Sequence, residues 1–141
     1  MPLGLRRTDL QAIANAKLAD AELLVANRRY SNAYYLAGYA VEIGLKACIA
    51  RQFSSEAIPD KNFVNAIFSH KLRDLVSLAG LAKELKDNEA ANPAFAANWA
   101  LVNEWVPDVR YQDIDPYTAQ VLVQAVGESN SGVLPWIHTY W

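Results

Sequence analysis

Glu42 and Lys46 stand four residues apart inside "YSNAYYLAGYAVEIGLKACIARQ", a stretch that is apolar almost all the way round a helix. That spacing puts the carboxylate and the ammonium on one face, within reach of each other. Tyr35 and Tyr39 precede them at matching intervals, so two phenol hydroxyls share the stripe, with Ile49 at its far end. Two kinds of chemistry suit this arrangement. One is an ordinary intrahelical ion pair on whatever strip faces water, contributing ~0.2–0.5 kcal/mol. The other is a cleft in which acid, base and hydroxyls address a polar ligand. A buried charge left unpaired is costly, so the second reading demands a further partner for Glu42.

Arg110 is a candidate for that partner. It is the only cation after Lys86 and stands among Asp108, Asp113 and Asp115. One reading makes it a structural salt bridge that fixes a turn, since a guanidinium forks a carboxylate well. Another puts Arg110 and Tyr111 at the mouth of a groove beside the Glu42/Lys46 stripe. There Arg and Lys would meet phosphate while Tyr stacks on a base. A direct contact between Glu42 and Arg110 would join the two readings.

Other catalytic constellations do not assemble. Cys48 is the only cysteine and reads as a small buried hydrophobe, which suits a reducing cytosol. One Cys and two distant His do not make a Cys/His zinc site, and no Gly-rich phosphate loop occurs. "DNE" and "DID" read as solvated turns and caps. His138, between Trp136 and Tyr140, reads as packing, and His70 as a cap or packing residue of the third helix rather than a proton carrier. The expectation is no catalytic residue, no metal and no cofactor.

The elements that must hold these residues are all helical. No run of strict apolar/polar alternation is long enough for a strand. Thr8 followed by Gln11 has the pattern of a capping box and opens a helix over Asp9 to Ala26. Its apolar face runs through Leu10, Ile13, Ala14, Leu18, Ala21 and Val25. The second helix runs from about Ser31 to Phe53. It carries a separate face of small residues, Ala33, Ala37, Ala40, Gly44 and Ala47, that admits a close neighbour. A polar connection follows, then a helix restarts near Ser69 and continues or resumes after Gly80. Asn92-Pro93 and Asp115-Pro116 each place a capping side chain before a proline at the first helical position. Gly132 and Pro135 are expected to kink or end the last helix and leave "WIHTYW", within residues 128–141, as a short docked tail. The fold expected is an all-α antiparallel up-and-down bundle of four to five helices, in a single domain over residues 1–141.

Composition agrees with a folded domain, at 52% hydrophobic and 20% charged residues. The start, "MPLGLRRTDL", lacks a signal-peptide run, and no stretch approaches a membrane span, so the expectation is a cytoplasmic protein without a membrane partner. The net charge of -2 argues against wholesale attraction to nucleic acid. Its distribution is uneven. Residues 1–86 hold twelve of the thirteen Lys and Arg against eight acids, whereas residues 87–141 hold Arg110 against seven acids and all four Trp. A one-sided basic surface, or head-to-tail pairing of unlike surfaces, is open to such a chain.

"RRYSNAYYLAGYAVEIGLKACIA" resembles the signature second helix of HEPN domains, matching their aromatic turn at Tyr30, their small residue at Ala33 and their Glu and Lys at Glu42 and Lys46. "SHKLRDLVSLA" is similar to the family's His before a Leu-x-x-Leu stretch, through His70, Leu72 and Leu75. "WVPDVRYQD" resembles its aromatic-x-Pro…Arg-Tyr turn through Trp105, Pro107, Arg110 and Tyr111, with one extra residue before the Arg. The three matches span Arg28 to Tyr111 in order. The resemblance implies a helical bundle, frequent homodimerisation, and a role beside a nucleotidyltransferase or in a toxin–antitoxin pair. It also implies nucleotide or RNA binding, for which the candidate residues are Arg110, Tyr111, Lys46, Glu42, Tyr35, Tyr39 and His70. Ribonucleolytic members carry an Arg and a later His with four to six residues between them. Here Phe63, Val64 and Asn65 precede His70, and Ser131, Gly132 and Val133 precede His138, so that motif is absent. The reading is therefore a dimerising interaction module. The alternative is a phosphate-binding module, with RNA cleavage the least favoured.

Overall fold

A computed structural model describes residues 4–141, so Met1–Leu3, the first part of the stretch read for a targeting signal, lie outside the described residues. The architecture is an all-α bundle, as the periodicity predicts. Its elements are α1 (Arg7–Ala26), α2 (Tyr30–Ala50), α3 (Lys61–Ile67), α4 (Leu72–Leu78), α5 (Ala82–Ala91) and α6 (Pro93–Asn103). A 3-10 turn (Pro107–Tyr111) then leads to α7 (Pro116–Gly127) and α8 (Val133–His138). No helix among the described residues is long and apolar enough to cross a membrane.

α2 is the central element. Twelve of its 21 residues are buried, and it borders α1, α4, α7, α8 and the 3-10 turn. Its small residues are what permit so many neighbours. An added Cβ at Gly38 would collide with the Trp105 indole, and one at Gly44 would come within 3.0 Å of Leu134. α2 returns along α1 after the turn at Asn27–Arg29, in which Arg28 adopts a positive φ of 60°. Leu10, Ala14 and Ala21 of α1 are buried, with Leu18 and Val25 packed against them. Ile13, expected on this face, is instead 40% exposed, at the edge of the stripe that Leu10, Ala14 and Ala21 bury.

Side-chain caps set the starts of α3, α6 and α7. Asn92 and Asp115 accept from the backbone N–H of Phe95 (3.1 Å) and Thr118 (3.0 Å), as their positions before proline predict. Thr8 does not cap α1. The helix begins at Arg7, so Thr8 lies within its first turn, and no side chain bonds the N-cap position. Three further departures are plain. α2 ends at Ala50 rather than Phe53, and α4 starts at Leu72. The polar connection contains a helix, α3, capped by Asp60 on Phe63 N at 3.0 Å. Gly132 and Pro135 do not end the helical path. Gly132 is the N-cap of α8, and Pro135 falls in its first turn, where no backbone donor is needed. Val133, Leu134 and Ile137 bury the new helix against α2, α6 and α7.

Candidate functional site

The stripe on α2 forms as the spacing predicts, and Glu42 is the one buried polar or charged side chain among the described residues. Its two oxygens have different partners. Lys46 Nζ stands 3.4 Å from Oε2, and His70 Nδ1 stands 2.9 Å from Oε1. Glu42 therefore has the further partner that burial demands, and it is His70 rather than Arg110. The geometry of α2 explains the exchange. Arg110 sits at the level of Tyr35, seven residues before Glu42, which is ~10 Å along the helix axis.

His70 reaches this position from the connection that precedes α4. Leu72, Leu75 and Val76 of that helix are buried, and α4 packs directly on α2. The imidazole is thus held over the stripe by the packing two residues away. An ionised Glu42 only accepts, so it pairs with the neutral tautomer in which Nδ1 carries the proton and Nε2 does not. The side chain is 59% exposed, whereas the Glu42 side chain is 3% exposed.

One turn before Glu42 the stripe becomes aromatic. Tyr35 and Tyr39 meet edge to face at 5.7 Å between centroids, and both approach the buried Trp105, Tyr35 in a stacked pose at 6.1 Å. Lys17 of α1 places its Nζ 5.9 Å from the Tyr39 ring centroid. Burial, then Glu42, then Tyr35, hold the Tyr39 phenol above its ordinary pKa, so its hydroxyl stays a donor at neutral pH. Arg110 lies over the Tyr111 ring at 4.9 Å from its centroid. The Tyr111 phenol, and after it the Tyr35 phenol, hold the guanidinium above its usual value. No ion pair engages Arg110 among the described residues, although three aspartates are close in sequence. The structural salt bridge expected at that turn is absent there. Ser31 instead ties it, donating to Asp113 (3.1 Å) and accepting from Ile114 N (2.9 Å).

The structure brings Tyr35, Tyr39, Glu42, Lys46 and His70 onto one continuous strip, with Arg110 and Tyr111 at its Tyr35 end. Lys17 is the addition that the sequence concealed, since it comes from another helix and carries no motif. Trp99 and Trp105 are core residues, 2% and 1% exposed, so they offer no contact surface. Trp99 faces inward because α6 packs on α5, α7 and α8, and Trp105, just after α6, fills the space beside Gly38. His138 packs on Trp141 and contacts Asn15 Oδ1 at 3.0 Å, a packing role as expected. No group of three His, Cys, Asp or Glu stands together among the described residues. No family model matches this chain, and no curated protein or solved structure matches it.

Proposed function

We propose that the chain is a HEPN-like helical module whose α2 strip binds the phosphate of a nucleotide or of RNA. The observation that carries this reading is Arg110. Its guanidinium is exposed, free of any acid, and set over Tyr111, which is itself 79% exposed. A cation beside an open aromatic face is what a phosphate and its base require together. Lys17 and the Tyr35 and Tyr39 hydroxyls extend donors along the strip toward Lys46. The protein's net negative charge favours a small or single-stranded ligand over duplex nucleic acid, which rewards a broad basic surface.

Calorimetric titration of ATP, and of a short single-stranded RNA, into wild type and Arg110→Ala tests it. Binding that disappears in a folded Arg110→Ala supports the reading. Absence of binding to wild type removes it for those ligands.

A second reading rests on a separate observation. Phe53, Ile58 and Phe68 are exposed, Ile58 almost fully, on the connection around α3. Such side chains suit a protein contact, as in a homodimer or a complex with a nucleotidyltransferase of a toxin–antitoxin pair. A concentration-dependent mass by sedimentation, abolished by Ile58→Asp with Phe68→Asp, supports this reading. A monomer at all concentrations removes its homodimeric form.

A further inference from the structure

The Glu42–His70 contact does more than satisfy a buried acid. With Nδ1 donating to the carboxylate, Nε2 is the nucleophilic nitrogen, on a side chain that is 59% exposed. We infer that His70 Nε2 is a phosphoryl acceptor, taking the group from an activated donor with a carboxylate or amine leaving group, that is, an acyl phosphate or a phosphoramidate.

The chemistry balances with residues on the page. The Nε2 lone pair attacks phosphorus, the N–P bond forms, and the bond from phosphorus to the leaving group breaks. An acyl phosphate departs as a carboxylate, a phosphoramidate as ammonia. Nδ1 keeps its proton throughout, so the ring becomes a cation as the phosphoryl group arrives. That positive charge develops 2.9 Å from the buried Glu42 carboxylate, in a part-buried contact strengthened by charge. Lys46 shares the same carboxylate, and the exposed Lys71 is the next residue in the chain. Both offset the two negative charges that phosphoryl transfer brings to this surface. A carboxylate behind an imidazole fixes the orientation of the ring. An oriented imidazole with an open face also suits a metal ligand, yet no group of three ligand-type side chains forms around it among the described residues. The inference goes beyond phosphate binding at Arg110 and does not depend on it.

The test uses the whole chain with two small donors, phosphoramidate and acetyl phosphate, in separate reactions. Phosphoryl transfer is followed by phosphorus NMR and by mass spectrometry of the intact protein, with peptide mapping to the site. The expected result is an acid-labile, alkali-stable phosphoryl group on His70 Nε2. It should form at least ~10-fold faster than on His138 or on free N-acetylhistidine, with the advantage lost in Glu42→Gln. Transfer from acetyl phosphate assigns the donor class as acyl phosphate. Transfer from phosphoramidate alone assigns it as an amine-leaving donor. Reaction at His70 no faster than at His138 with either donor overturns the inference. Because Glu42→Gln can unfold the protein, the imidazole tautomer of wild-type His70 is read independently by nitrogen-15 NMR. An Nε2–H tautomer in the neutral ring overturns the proposal regardless of the variant.

Discussion

The indole of Trp105 fills the space that a side chain at position 38 would need, so Gly38 and Trp105 form a matched hollow and plug. Gly38 lies on α2 and Trp105 just after α6, so this one contact locks the central helix to the start of the Arg110 turn. Gly38→Ala is expected to cost ~1–3 kcal/mol by overpacking, and Trp105→Ala ~3–5 kcal/mol by leaving a cavity. Trp105 Nε1 is buried and has no hydrogen-bond partner, so Trp105→Phe sacrifices no bond and should cost less than Trp105→Ala. Urea unfolding of the three variants checks the order. Trp105→Phe as damaging as Trp105→Ala would count against it.

The buried acid gives a second test. Removing Glu42 alone, as in Glu42→Leu, leaves the Lys46 ammonium half-buried without its partner, and ~2 kcal/mol of stability should be lost. The double variant Glu42→Leu with Lys46→Met replaces both charges by apolar groups and should recover at least half of that loss. A double variant no more stable than the single one would show that Lys46 is not what suffers when Glu42 goes.

Cys48 supplies a pH dependence. Burial pushes its thiol from 9.0 up to about 11. The folded state therefore holds the proton where the unfolded state releases it. This contribution is complete below the unfolded value near 9 and is lost as pH rises toward about 11. Stability measured between those limits should fall more steeply in wild type than in Cys48→Ala. In native protein at neutral pH the thiol should react with a disulfide reagent only at the rate of unfolding.

His138 acts at the other end of the scale. Burial lowers its pKa below the ordinary imidazole value, so the fold favours the neutral ring beside Trp141. Stability from this group is present above the unfolded value of ~6.5 and declines as pH falls below it. His138→Gln should flatten the acid limb of the stability curve. An unchanged limb would place the acid sensitivity elsewhere.

Lys17 separates the strip from its motif residues. If the α2 strip holds a phosphate, Lys17→Ala should weaken ATP binding ~3- to 10-fold, and less than Arg110→Ala does. Titration calorimetry on the two variants decides it. Binding unaffected by Lys17→Ala would confine the contact to the Arg110 end.

The helices whose starts are written in local chemistry were legible in the sequence. Asn92-Pro93 and Asp115-Pro116 combine a capping oxygen with a proline that needs no donor, and both act within one turn. α3 was hidden because seven residues with no buried side chain hold too few turns to show a period. The stripe through Tyr35, Tyr39, Glu42 and Lys46 needed only helical spacing. Its third partner needed a fold, since His70 is 28 residues from Glu42 and reaches it through the seating of α4. The burial of Trp99 and Trp105 needed the fold for a related reason. A tryptophan-rich segment shows amphipathic bulk, and only the neighbours of α6 decide which side of it meets water.

From Arg51 to His70 the chain contains no buried residue, although it carries a capped helix in its middle. Its two ends are held by polar bonds, Gln52 to Leu78 O at 2.7 Å and His70 to Glu42 at 2.9 Å. Length between those anchors is thus nearly free to drift, because lengthening a flexible loop costs only ~0.6 kcal/mol per doubling. Evolution could rewrite this span many times over while α2 and its strip stayed fixed, and a sequence altered there would keep the chemistry of Glu42 as long as it still delivered an imidazole to the far anchor.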